Sequence, residues 1–476
     1  MKKEDLYEAV GELDDELLRD TAFHKPAHTL CWASVLIASA AAVCLLIVSV
    51  FRNDPGINGG VLIVQAEVPE YTLPEDMTAE EYLAQSGQDA FAKEQFNYRM
   101  QAAENAPYFN TFHHNVMRSF LQDQSEENRV FSPSCTWNML AMLAECTDGN
   151  TRKQLLDYMG VQDLEQIRKM SDLMWKASWA KNPVEIQTSA SSFWMNQNIR
   201  YQKQVLELLA ETYHASSYQG EMGSEELNAE LRTWLNENTG GILKEYVSKT
   251  ETYADTAFLL ASAQYLKASW TEKFDESLTA KEVFHSPDGD VTADMMHKNE
   301  IMGSIYLGDR FKAMTVGGLG MGMTCMDIVL PNEGIALQDL CDDAQMMEFL
   351  ERSGEFESER FKSGIIDLAM PRFTVSESTD LKDMLQKAGI TDLFTPGNAD
   401  FSPLTDTENV YLNRFVSGVK VSADENGVEA AAFEIGAGAM GGVEPVHYDF
   451  TADRPFIFVI RGPAGTLLYT GTVYRP

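Results

Sequence analysis

Basic residues are scarce in this chain. Lysine and arginine number 37 against 72 aspartates and glutamates, leaving a net charge of −35 over 476 residues. So acidic a protein is repelled by phosphate backbones, which argues against nucleic-acid binding, and by heparin-like or anionic-lipid surfaces. Cysteines are few as well. Cys31, Cys44, Cys135, Cys146, Cys325 and Cys341 include no C-x-x-C pair and no His-rich neighbourhood, so they read as buried free thiols rather than a disulfide framework or a zinc site. The sequence has no G-x-S-x-G, no H-E-x-x-H and no G-x-x-x-x-G-K, and so no signature of a hydrolase elbow, a metalloprotease helix or a P-loop. Gly317, Gly318, Gly320 and Gly322 precede a strand with no helix after it and read as a flexible turn. His113 and His114 lie on an expected helix without ligands at metal spacing and read as a surface or packing pair. Neither an enzyme nor a cofactor is indicated.

What the chain does contain is one long uncharged apolar run, Leu30–Phe51. At about 1.5 Å per helical residue such a run crosses a hydrocarbon core of about 30 Å. A signal peptide has a shorter apolar region and no long polar lead, so an uncleaved anchor is expected. Lys2, Lys3, Arg19 and Lys25 precede the run and only Arg52 follows closely, which orients the N-terminus to the cytoplasm. The layout is a cytoplasmic tail at 1–28, a transmembrane helix at 29–51, an extracellular linker at 52–103 and a globular part at 104–476. The tail repeats Leu6, Val10, Leu13 and Leu17 at helical spacing, and Pro55-Gly56, Gly59-Gly60, Pro69 and Pro74 punctuate the linker.

The globular part mixes helices and strands and reads as one domain. Helices are expected over 109–121, from Ser132-Pro133 with serine as cap and proline at the first helical position, over 227–247 with a break at Gly240-Gly241, and over 381–388 ending at Gly389. Strands are expected over 257–266, 326–330, 366–375 with a break at Pro371, 454–460 and 467–473, the last two joined around Gly462–Gly465.

Near the C-terminus, Glu425-Asn426-Gly427-Val428-Glu429-Ala430-Ala431-Ala432 sets a glycine, an acid and an alanine triplet ahead of a Gly- and Ala-rich run to Gly442. Such a segment can lie exposed as a connection or flatten into a sheet as an extra strand. Further stretches carry a resemblance: Asn128–Pro133, Asp148–Arg152, Asn228 with Trp234, Asn238, Thr239 and Gly240, Tyr265-Leu266-Lys267 with Trp270 and Phe274, Gly389–Asp392, Ala399–Ser402, and Ala452–Phe456 with Gly471. In this order and spacing they resemble serpins over essentially all of 105–476.

The resemblance implies an α+β fold: a large central mixed β-sheet, surrounding helices and an exposed reactive-centre loop, here preceded by one transmembrane helix. It implies a monomeric inhibitor of serine proteases. The protease attacks a bond in the loop and forms an acyl-enzyme, and the freed loop then enters the sheet as a new strand and distorts the protease before water releases it. The hinge would comprise Glu425, Gly427, Val428, Glu429, Ala430, Ala431 and Ala432. On insertion Val428, Ala430 and Ala432 would face inward, small or apolar as required. The next inward position is Glu434, a departure, since an ionised carboxylate inside a sheet without a partner costs several kcal/mol. Counting from Glu425 places the bait bond at Gly441-Gly442, with Met440-Gly441 as the alternative. Small side chains there, and no Arg or Lys between Lys420 and Arg454, point to elastase-like or subtilisin-like partners. The sheet-opening region would comprise Ser132, Cys135, Ser262, Trp270 and Ser417. Ser262 and Ser417 stand where serpins usually hold an Asn and a His, a second departure. A non-inhibitory serpin, acting as a binding module or a cleavage-triggered surface sensor, is the alternative. An anchored domain facing outward points to a bacterial cell envelope.

Overall fold

The computed structural model describes residues 60–68, 73, 77–86, 89–122, 126–270, 272–319, 324–351, 358–428, 446–462 and 465–476. The tail and the expected span at Leu30–Phe51 lie outside these. Among the described residues no helix is long and apolar enough to cross a membrane.

The segment expected to be a linker is structured where it is described. Gly60–Val64 forms strand β1, and Ala79–Ser86 (α1) and Ala90–Asn105 (α2) are helices. Asp89 caps α2 by accepting from the Ala92 amide. Arg99 of α2 is buried and donates to the Ala177 carbonyl and to Glu185. Scattered prolines and acids hid this, because α2 is held by one buried charge and small residues such as Ala102 rather than by a broad apolar stripe.

Further on, Asn110–Leu121 (α3) buries Phe112, Val116, Met117 and Phe120 on one face. Pro133–Cys146 (α4) starts at the Ser132 cap with Pro133 at its first position and is buried along nearly its whole length. Leu164–Ser178 (α5) packs beside α2, and Glu225–Asn238 (α6) ends before Gly240, where φ is +59° and an added Cβ would stand 2.7 Å from the Tyr265 ring.

The strands form two large sheets and a ribbon. The first sheet runs β1 (Gly60–Val64), β5 (Ala215–Gly220), β4 (Glu185–Asn196), β6 (Phe258–Ser269) and β14 (Gly427–Val428), with β3 (Ala180–Asn182) on β4. The second runs β15 (His447–Thr451), β11 (Phe361–Pro371), β8 (Gly289–Leu307), β9 (Phe311–Leu319), β10 (Thr324–Pro331), β16 (Phe456–Arg461), β17 (Leu467–Val473) and β2 (Arg129–Phe131), with β7 (Ala280–Ser286) on β8. Among the described residues the strands β12 (Phe373–Asp380) and β13 (Val416–Ala423) pair only with each other. Gly317 and Gly318, expected in a turn, instead pair within β9 against Met326 and Cys325.

One core packs Trp137, Leu140, Phe193, Phe258, Leu260 and Ile457 between the helices and the sheets. A second gathers Leu266, Ala268, Trp270, Phe284, Ile328 and Phe458. β6 joins the two, and its opposite face, through Leu259, meets Leu227 and Leu231 of α6.

Candidate functional site

Among the described residues the edge of β6 away from β4 is sparsely paired. Among the described residues its only partner there is β14, at two rungs: Gly427 opposite Ser269 and Val428 opposite Ala268. From Phe258 to Lys267 that edge has no ladder partner among them, and β13 does not supply one. An unpaired edge next to a two-stranded ribbon is a place for one more strand, since each rung would gain hydrogen bonds on both sides.

The chain enters this place through a clamped turn. β13 ends at Ala423, and Asp424–Asn426 reverse direction. The Asp424 carboxylate accepts from the Asn426 amide at 2.8 Å. Trp270 Nε1 donates to the Asp424 carbonyl at 2.8 Å, and the Trp270 and Phe274 amides donate to the Asn426 and Glu425 carbonyls at 3.3 and 3.0 Å. The Glu425 side chain is only 3% exposed. Arg372 Nε donates to both of its carboxylate oxygens, at 2.8 and 2.7 Å, and Thr279 Oγ1 donates a third bond. Burial pushes the Glu425 carboxyl up, but these donors and the charge of Arg372 outweigh it and hold the group below its ordinary value.

Under β6 lies a polar cluster in an otherwise apolar core. Ser132 Oγ donates to the Leu468 carbonyl at 2.8 Å and accepts from the Cys135 amide at 3.2 Å. Ser134 Oγ donates to Gln264 Oε1 at 2.7 Å, and Cys135 Sγ lies 3.8 Å from the same oxygen. Burial raises the Cys135 thiol above its ordinary value, so it remains a neutral packing group. Ser262 is one β6 step away on the same face. Its Oγ is buried and makes no well-formed hydrogen bond, although the Cys135 thiol lies within reach. Asn138 Nδ2 donates to Ser191, the residue opposite Ser262 on β4, at 3.2 Å.

A family model described as serpin (serine protease inhibitor) matches residues 108–476. The chain belongs to the serpin family. Curated relatives include Serpin-ZX of Arabidopsis thaliana, 28% identical over 73% of this chain and 92% of that protein, and human Neuroserpin, 25% identical over 74% and 87%. Among solved structures, the thermophilic serpin Tengpin in its native state matches with a TM-score of 0.67 at 20% identity, covering 78% of this chain and 94% of that one. An Arabidopsis serpin in its native stressed conformation gives 0.66 at 24%, covering 78% and 98%. Human thyroxine-binding globulin, complexed with its hormone, gives 0.65 at 20%, covering 79% and 99%.

In this serpin the residues expected to govern sheet opening fall into three places. Ser132, Cys135 and Ser262 lie around Gln264. Trp270 instead sits at the turn, because its indole reaches the Asp424 carbonyl. Ser417 lies on β13 opposite Thr379, and no hydrogen bond joins it to Ser262. Of the hinge residues, Glu425, Gly427 and Val428 are placed as described. Glu429, Ala430, Ala431, Ala432, and the bait positions Met440, Gly441 and Gly442 fall outside the described residues, as does Glu434. Sequence reasoning missed Gln264, Ser134, Arg372 and Thr279. Gln264 had a signal, being a lone amide two residues from Ser262 on the same strand face. Arg372 and Thr279 had none, since they converge from distant loops. Among the described residues no His, Cys, Asp or Glu cluster could hold a metal ion.

Proposed function

We propose that this serpin inhibits an elastase-like or subtilisin-like serine protease by presenting residues 429–445 as bait and trapping the acyl-enzyme. The unpaired edge of β6, beside a turn that already directs Gly427 and Val428 along it, carries this reading. The protease serine attacks the Gly441 carbonyl, the Gly441-Gly442 bond breaks and the Gly442 amine leaves. Residues from Glu429 onward then extend β14 along β6. Ladder bonds on both sides, and burial of Val428, Ala430 and Ala432, drive the step. The chain itself turns nothing over, and is consumed. It acts as a monomer, held at a bacterial cell surface by Leu30–Phe51 with the serpin domain outside.

The test is incubation with pancreatic elastase and with subtilisin. An SDS-stable complex, and a released C-terminal peptide whose mass begins it at Gly442, or at Gly441 for the alternative bond, is the expected result. Rapid cleavage at the same bond without a complex would instead favour a non-inhibitory serpin, the outcome that the inward position of Glu434 would produce if nothing received it.

A further inference from the structure

The core-facing positions of β6 and β13 carry side chains that one segment of this chain matches position by position. Antiparallel pairing of Gly427 with Ser269 and Val428 with Ala268 continues in one way only: Ala430 opposite Leu266, Ala432 opposite Gln264 and Glu434 opposite Ser262. The second register comes from the turn. Asp424 forms a single bridge and Glu425-Asn426 a two-residue turn before Gly427. A hairpin closed by this two-residue turn would set Asp424 opposite Gly427, and its continuation would set Ala430 opposite Val421, Ala432 opposite Val419 and Glu434 opposite Ser417. Burial fits the facing that both registers require, because Ala268, Leu266, Ala423, Val421 and Val419 are all buried on the core side. The small or apolar members of the segment meet largely apolar neighbours, and its one inward acid meets two serines.

Those serines are equipped for it. Ser262 Oγ is buried, with the Cys135 thiol in reach but no well-formed hydrogen bond. Gln264, on the same face, uses its Oε1 to accept from Ser134, while its Nε2 donates to none of the described residues. The core-facing positions of β6 and β13 carry no lysine, arginine or histidine, and Lys267 and Lys420 fall on the alternate faces of their strands. The site offers hydroxyl and amide donors in place of a countercharge, and two serines leave room for a glutamate.

We propose that Ser262, Ser417 and Gln264 form the receiving site for the Glu434 carboxyl when residues 429–436 enter between β6 and β13. This rests on the insertion proposed above. The two departures from the family pattern, an inward glutamate and paired serines, then compensate each other, since a carboxylate that accepts several hydrogen bonds is tolerated where an unpartnered one is not.

A double-mutant cycle tests the assignment. The full chain, Ser262→Ala/Ser417→Ala, Glu434→Ala and the triple variant are cut in the loop with elastase, checked for monomeric size and melted at a fixed scan rate. Heat resistance gained on cutting reports insertion whether or not a protease is trapped. The serine pair should lower the melting temperature of the cut protein by about 5 °C when Glu434 is present and by under about 1 °C when it is absent. In parallel, the moles of serpin consumed per mole of elastase trapped should rise about tenfold in the serine pair and recover in the triple variant. Equal effects of the serine pair with and without Glu434 overturn the receiving site and leave the inhibitor reading standing. Coupling in the cut protein without any SDS-stable complex does the reverse. Heat resistance gained only in oligomers assigns the edge to a second copy and overturns the site, and no gain at all overturns both readings.

Discussion

Arg372→Ala is the sharpest probe of the turn that aims the loop. The Glu425 side chain is 3% exposed and the Arg372 side chain 44% exposed, so the guanidinium covers a buried carboxylate from the solvent side. Removing one partner of a fully buried pair costs about 3–5 kcal/mol, because the other charge is stranded. Here water can reach the place Arg372 vacates and Thr279 still donates, so the expected loss is about 2 kcal/mol. For a domain of about 370 residues that corresponds to about 2–3 °C in melting temperature. Scanning fluorimetry at one fixed rate is the assay, since the strained form of a serpin is held by a barrier and its melting is a rate. Hydrogen exchange should localise the loss to the Trp270 and Phe274 amides, which donate to the turn carbonyls. Arg372→Met with Glu425→Leu should recover most of it, because an apolar pair strands no charge. The carboxyl of Glu425 is held below its ordinary value of 4.5, so the clamp is complete above that pH and is lost as pH falls through the folded value. The difference between wild type and Arg372→Ala should therefore shrink in acid. A loss under about 1 °C at pH 7, or one undiminished at pH 3, would refute the reasoning.

Two other buried groups give separate tests. His113 accepts from the Leu467 amide at 3.4 Å, stacks on Phe109, and is pushed down to about 3 by burial and by the neighbouring Arg461. The folded state thus keeps it neutral where the unfolded chain binds a proton, so stability present above pH 6.5 falls on acidification, by about 3 kcal/mol at pH 4.5, and His113→Gln should flatten a pH series of melting curves by that amount. Arg99→Ala leaves Glu185 buried with only Thr324 donating to it, so a loss of about 3 kcal/mol in thermal or denaturant melts is expected, with new tryptic cuts in α2 if that helix is integral to the domain.

How much of this was legible beforehand depended on the range of the interactions. Local signals read well. Ser132-Pro133 opens a helix because a hydroxyl cap and a fixed φ are properties of two adjacent residues, and β11 ends on Pro371, which cannot donate to a ladder. The segment 60–105 did not read. Its strand depends on the exposed edge of β5, and its second helix on a buried glutamate more than eighty positions away.

The candidate site divides along the same line. Alternation of small residues after Gly427 is a period-two pattern, and it marks a possible strand wherever the chain happens to go. Under the proposed insertion, the edge that would receive that strand and the side chains that would face it are set by the pairing of Val428 with Ala268 and by the reversal at Glu425.

By itself the sequence determined the family, the order of helices and strands, and a segment free to become a strand, because propensity, capping and alternation act over a few neighbouring residues. Only the tertiary structure decided that Arg372 and Thr279 clamp Glu425, that Gln264 gathers Ser134 and Cys135, and that Ser262 lies buried on β6 beside the Cys135 thiol. These are meetings of residues far apart in the chain, and their energy comes from shared burial, which no local pattern encodes.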